Sequence, residues 1–185
     1  PARLCQAFAE AGLGGLPVTV GERLSYPDER VVCGTAGSFS HRKFDSLSVL
    51  LAEAAEEYGV TVAQENVSYC LSGRLDFLRM MKRELGKYAK FVLDLKQCRR
   101  SHEDIFEVVR ALGEDIIHLH VSDANSDRDC MPIGQGCFDF RRLMQEMGQL
   151  GYSGAYMVEL YRRDYDEYPR LRESVDRLRD IADSL

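Results

Sequence analysis

An α/β fold built on parallel strands is what this sequence predicts, and three observations predict it. Helical stretches and short apolar stretches alternate over the last two-thirds of the chain. A glycine closes four of the helical stretches: Gly59, Gly86, Gly113 and Gly151. Each apolar stretch is nearly unbroken, as strands are when helices cover both faces of a sheet. Strands separated by helical crossovers run parallel, since the crossover returns the chain to the same end of the sheet.

The elements follow in order. Ser46 to Tyr58 has helical spacing and stops at Gly59. Val60 to Ala63 is a short buried strand that leads into Gln64, Glu65 and Asn66. Leu75 to Leu85 is the next helix and Phe91 to Leu95 (FVLDL) the next strand. His102 to Leu112 is a helix, followed by the strand Ile116 to Val121 (IIHLHV). Phe138 to Leu150 is a helix, Ala155 to Leu160 (AYMVEL) the last strand and Tyr168 to Leu185 the last helix. Residues 1–45 are less regular. Ala2 to Ala11 is a helix candidate, and either Leu16 to Val20 or Arg30 to Cys33 is a further strand. The polar stretch Gly34 to Arg42 reads as a long loop, of the kind that is more often functional or disordered than idle. The glycines at 12, 14, 15 and 21 make no dinucleotide fingerprint, because they neither follow a clear strand nor open a helix.

The 185 residues suit a single domain at the usual ~100–200 residues per domain. A formal net charge of −6 argues against a protein that grips nucleic-acid phosphates. No apolar run approaches the roughly 18 residues of a membrane span, and the start of the chain has no secretory pattern. Six cysteines (Cys5, Cys33, Cys70, Cys98, Cys130 and Cys137) contain no CxxC, which predicts reduced thiols and a cytoplasmic protein.

The ends of the strands carry the chemistry. The first clear strand runs into Glu65, the second carries Asp94, the third His118 and His120, the fourth Glu159. In parallel α/β folds, ligands bind beyond the carboxyl ends of the strands. One such residue is usually a cap or a loop anchor. Four in succession at the same end predict a shared site, and buried carboxylates need a cation. A hard or borderline divalent ion suits three carboxylates and an imidazole. His118 and His120 point to the same side of their strand. His120 is nearer the carboxyl end and is the better ligand, whereas His118 lies deeper and orients a neighbour.

At these residues the sequence resembles the xylose isomerase-like TIM barrels, which include sugar and sugar-phosphate isomerases and epimerases. The matching pieces are VTVAQENV (60–67), FVLDLKQ (91–97), IIHLHVSDANSDR (116–128), PIGQGCFDF (132–140) and GYSGAYMVEL (151–160). The resemblance implies a (β/α)8 barrel of which about five of eight units are evident, with residues 46–185 as its C-terminal portion. It implies one divalent metal held by Glu65, Asp94, His120 and Glu159, manganese first, with magnesium, cobalt or zinc as alternatives. Glu65 and Glu159 would also be the acid/base pair, one removing a proton beside the substrate's carbonyl and the other returning one. The metal would stabilise the enediolate. Arg128 is placed to contact substrate oxygens, as an arginine often does after the metal histidine.

Two departures from the family pattern bear on the substrate. Many members carry a histidine three residues after the metal aspartate, where this chain has Gln97, an amide that hydrogen-bonds a sugar hydroxyl but does not titrate. That change also weighs against the apurinic endonuclease branch, whose corresponding histidine is a metal ligand. In addition, a whole barrel takes about 250 residues. An open part-barrel exposes sheet edges, so the sequence predicts further chain that completes it, or a partner such as a second copy that covers the edge. The expected function is a metal-dependent isomerase or epimerase of a small carbohydrate or related hydroxy-carbonyl compound, with no nucleic-acid or membrane partner. The alternatives are a lyase on the same metal site, either a keto-inositol-type dehydratase or a C-glycoside-cleaving subunit, and a non-catalytic sugar-binding homologue.

Overall fold

The structure, a computed structural model, describes residues 17–19, 51, 53–165 and 167–185. The chain divides into two compact units, Pro1–Val92 and Leu93–Leu185. Strand order follows chain order within each.

In the first unit, strand β1 (Pro17–Thr19) pairs in parallel with β2 (Thr61–Glu65), Val18 opposite Val62. β2 pairs in parallel with β3 (Phe91–Asp94), Gln64 opposite Phe91 and Glu65 opposite Val92. The residues at 53–57 are helical, and Ala55 packs on Val60. Helix α1 (Leu75–Leu85) buries Leu75, Leu78, Met81 and Leu85, one stripe at helical spacing. Asp76 sits in its first turn and Lys82 and Arg83 in its last, the arrangement the helix dipole favours. Gly86, at φ +54°, ends the helix and returns its N–H to the carbonyl of Lys82. A side chain at that φ is strained, which is why glycine stops the helix here.

The second unit holds the end of β3, then helices α2 (Leu95–Arg100) and α3 (Ile105–Leu112), strand β4 (Ile116–Val121), helix α4 (Phe140–Gln149), strand β5 (Tyr156–Val158) and helix α5 (Tyr168–Asp183). β4 and β5 are parallel, with His120 opposite Met157. The core collects Val108, Val109 and Leu112 from α3, Leu119 and Val121 from β4, Leu143 and Met147 from α4, and Leu178 from α5. Each contributes about 1.5–3 kcal/mol by leaving water.

Among the described residues the predicted strands and helices are present with shifted ends; residues 46–50 of the Ser46 to Tyr58 helix lie outside them. Phe91 to Leu95 reads as one strand, but Leu95 already belongs to α2 because Asp94 caps that helix. The helix expected from His102 begins at Ile105: His102 takes φ +59°, and Asp104 caps the helix by accepting from the N–H of Glu107 at 2.7 Å. β1 lies within the Leu16 to Val20 alternative. Ala2 to Ala11, Arg30 to Cys33 and the loop at 34–42 lie outside the described residues. Cys70, Cys130 and Cys137 are free thiols, and no described helix is long and apolar enough to cross a membrane.

The loop after β4 is shaped by Asp123, which is buried at 2% exposure. Its Oδ1 accepts from the N–H groups of Ala124 (2.8 Å) and Phe138 (3.1 Å), and its Oδ2 from those of Gly134 (2.8 Å) and Gly136 (2.9 Å). One carboxylate thus satisfies four backbone donors across 15 residues of chain. Gly136 admits no larger residue, since a Cβ there would run into the carbonyl of Ala124 and the Asp123 carboxylate. Asp123→Ala should cost about 3 kcal/mol or more, because it leaves buried donors without an acceptor. Urea unfolding checks this: a loss within ~0.5 kcal/mol, the usual range for surface changes, would contradict the clamp.

Candidate metal centre

Asp94 ends a wholly buried strand, and it is itself 1% exposed. A carboxylate so placed needs donors. The turn into α2 supplies them: Oδ1 accepts from the N–H groups of Lys96 (2.9 Å) and Gln97 (3.3 Å). These are orphan donors of the first helical turn, so the aspartate satisfies the helix as the helix satisfies the aspartate. Oδ2 accepts from the ammonium of Lys96.

His120 lies one residue before the end of β4. Its Nδ1 is 2.9 Å from Glu159 Oε2 and 4.0 Å from Asp94 Oδ2. His118 sits on the same side, its ring edge-on to His120 at 5.2 Å between centroids. Glu159 follows β5, tied to β4 by its N–H to the carbonyl of Val121 at 3.0 Å. Asp94, His120 and Glu159 each present a ligand atom, all within 4.8 Å of one another. Glu65, in the first unit, ends β2 opposite Val92, the residue two before Asp94 on β3.

Two carboxylates and an imidazole on adjoining strand ends form a donor set for a hard or borderline cation. The structure itself shows a cation fitting there: the Lys96 ammonium lies against Asp94 Oδ2 and 2.8 Å from Glu159 Oε2. Lys96 was missed by sequence reasoning. Its signal was its position, a lysine in the first turn after a buried aspartate. Burial works against its charge, but the two carboxylates outweigh burial and raise its pKa.

The remaining expected residues are placed as follows. Gln97 is buried at 8% exposure in α2. Arg128 is 54% exposed and 3.6 Å from Asp164. A neighbouring arginine not singled out by sequence, Arg100 at the end of α2, ties two loops to that helix. It donates to Asp129 at 2.5 Å, which lowers the pKa of that carboxyl, and to the Tyr161 hydroxyl at 3.0 Å. The Tyr161 ring lies under Lys96, Arg100 and Arg163, at 5.6, 5.5 and 5.1 Å.

Comparison with known proteins identifies the family and the fold. A family profile described as xylose isomerase-like TIM barrel matches residues 42–181. The protein MJ1311 of Methanocaldococcus jannaschii is 27% identical over 124 residues, which is 63% of this chain and 42% of that protein. The chain therefore spans under half the length of that relative. Among solved structures, the 3-keto-D-glucoside 4-epimerase YcjR of E. coli superposes with a TM-score of 0.70 at 18% identity, over 97% of this chain and 68% of its own. The D-psicose 3-epimerase of Clostridium cellulolyticum H10 superposes with a TM-score of 0.72 at 16% identity, over 99% and 68%. At such identities the superpositions speak for the fold. Since the family match covers most of the chain and the clustered donors lie at the carboxyl ends of parallel strands, the chain belongs to the xylose isomerase-like TIM barrel family.

Proposed function

We propose that the chain is the C-terminal portion of a divalent-metal-dependent isomerase or epimerase of a small carbohydrate or related hydroxy-carbonyl compound. The observation that carries this reading is the convergence of Asp94, His120 and Glu159 at their strand ends. Glu65 is proposed as the fourth ligand. Paired residues of parallel strands face the same side of the sheet, as do residues two apart on one strand. Glu65 opposite Val92 therefore shares a face with Asp94. The epimerase activities of the superposing structures support the same reading.

A divalent ion held by these four residues would polarise the substrate's carbonyl and stabilise the charge that grows when the neighbouring C–H loses its proton. The chain's own residues do the rest. Glu159 is the proposed base: its carboxyl is held down to about 2, first by the hydrogen bond from His120 and also by Lys96, against the effect of burial. It is therefore ionised at neutral pH, the form that holds a cation. Glu65 is the proposed partner that returns a proton on the other face. Gln97 and Arg128 are proposed substrate contacts, the first by its amide and the second by its exposed guanidinium. His118 holds the ring of His120 by packing edge-on against it. Manganese is the proposed metal.

One observation favours a second reading, a sugar-binding homologue without turnover: the Lys96 ammonium rests on the oxygens a metal would use. Metal analysis of the purified protein separates the two.

The chemistry is tested with a panel of ketoses and hydroxy-carbonyl compounds in D2O with manganese. The wild-type protein is expected to exchange the proton beside the carbonyl, and product analysis distinguishes epimerisation from loss of a leaving group. Glu159→Gln and Glu65→Gln should each lower the exchange rate by about 100-fold or more. Full exchange in Glu159→Gln would sink the acid/base assignment.

The low pKa of Glu159 has a pH consequence in the chelator-treated protein. Its folded pKa of about 2 lies below its ordinary 4.5, so its stabilisation is complete above 4.5 and is lost as the pH falls toward 2. Acid titration followed by circular dichroism should show a flatter acid limb for Glu159→Gln in that window. Identical slopes would contradict the interaction.

A further inference from the structure

Lys96 is the feature that the proposed chemistry does not use. Lysine is almost never fully buried unless paired, yet this side chain is 2% exposed. Its ammonium touches Asp94 Oδ2 and Glu159 Oε2, the two oxygens that also face His120 Nδ1. Carboxylates brought this close repel one another in a dry site unless a positive charge lies between them. The ammonium supplies that charge from within the chain.

We propose that Lys96 is a tethered counter-cation of the metal centre. Its ammonium holds Asp94 and Glu159 together in the metal-free protein and gives up their oxygens when a divalent ion binds, so that this residue sets the metal affinity. The proposal rests on the metal-centre reading above.

Four considerations fit such an exchange. An ammonium and a divalent ion cannot share the same two oxygens without strong like-charge repulsion. The lysine stem is a flexible four-carbon chain, so its head can withdraw while its backbone stays in place. The backbone N–H of Lys96 remains on Asp94 Oδ1, so the cap of α2 does not depend on where the ammonium is. The ring of Tyr161, 5.6 Å from Nζ, provides a neighbouring surface on which a displaced ammonium is stabilised. The centre is thus preformed in the absence of metal, and loading is a replacement of one cation by another.

The test uses the purified protein, stripped with chelator, alongside Lys96→Met, Lys96→Gln and Lys96→Arg. Manganese affinity is read by calorimetry and thermal stability by melting with and without manganese. The two neutral variants should bind manganese roughly tenfold or more tightly than the wild type, as expected for removing a like charge from beside the ion. They should also melt lower than the wild type without metal and gain more on its addition. Lys96→Arg keeps the charge and should bind no more tightly than the wild type. Manganese binding by the neutral variants alone would also support the proposal, and so would neutral variants that fold only when manganese is present. Equal or weaker affinity in both neutral variants, with wild-type binding intact, overturns the counter-cation and leaves the metal centre standing. Neutral variants that fail to fold and are not rescued by manganese likewise overturn it. Absence of manganese binding in every protein removes the metal-centre reading and the exchange with it.

Discussion

A carboxylate cannot be buried without positive partners, and Asp94 is buried almost completely. Much of the second unit answers that constraint. The strand that leads to Asp94 is apolar at Phe91, Val92 and Leu93, which carries the residue out of water. The chain then turns at once into α2, whose first N–H groups take one carboxylate oxygen. The other oxygen faces Lys96, His120 and Glu159. A single side chain therefore starts a helix with one atom and founds a cation site with the other.

A second aspartate solves a different problem by the same means. Asp123 receives four backbone donors. It shapes the loop that leaves β4 and leads into α4. Arg100, at the end of α2, then joins the loops after β4 and β5 through Asp129 and Tyr161. Hydrogen bonds to charged groups are stronger than neutral ones, and in these loops they replace the missing regular ladder. The apolar core positions the strands, and the ionic contacts position what hangs from their ends.

The sequence was most legible where periodicity and burial coincide. The largely apolar run at Ile116 to Val121 and the helical stripe of α1 were visible because hydrophobic spacing dictates them. The cluster of Asp94, His120 and Glu159 was visible because parallel strands put their polar ends on one side. The end of β3 was misread at Leu95, since an apolar residue just past a capping aspartate looks like strand in one dimension. Lys96 escaped notice for a related reason. A lysine is read as surface by composition, and only the path of the chain reveals that two carboxylates wait for it. The four jobs of Asp123 were equally invisible, because its partners lie 1, 11, 13 and 15 residues away and are all backbone.

The Asp123 clamp also divides its loop into parts with different freedom to vary. The base, Ala124 together with Gly134 to Phe138, is fixed by the carboxylate. The tip is a separate turn in which Asn125 Oδ1 accepts from the N–H groups of Asp127 (3.0 Å) and Arg128 (2.9 Å), and its own N–H meets the carbonyl of Arg128 at 2.9 Å. A closed turn standing on a clamped base is a natural cassette. Segments of different length or composition spliced between Asn125 and Arg128 would inherit the same two anchor points. For anyone building a combinatorial library on this loop, that turn is where diversity is best concentrated, while the residues that grip Asp123 stay constant.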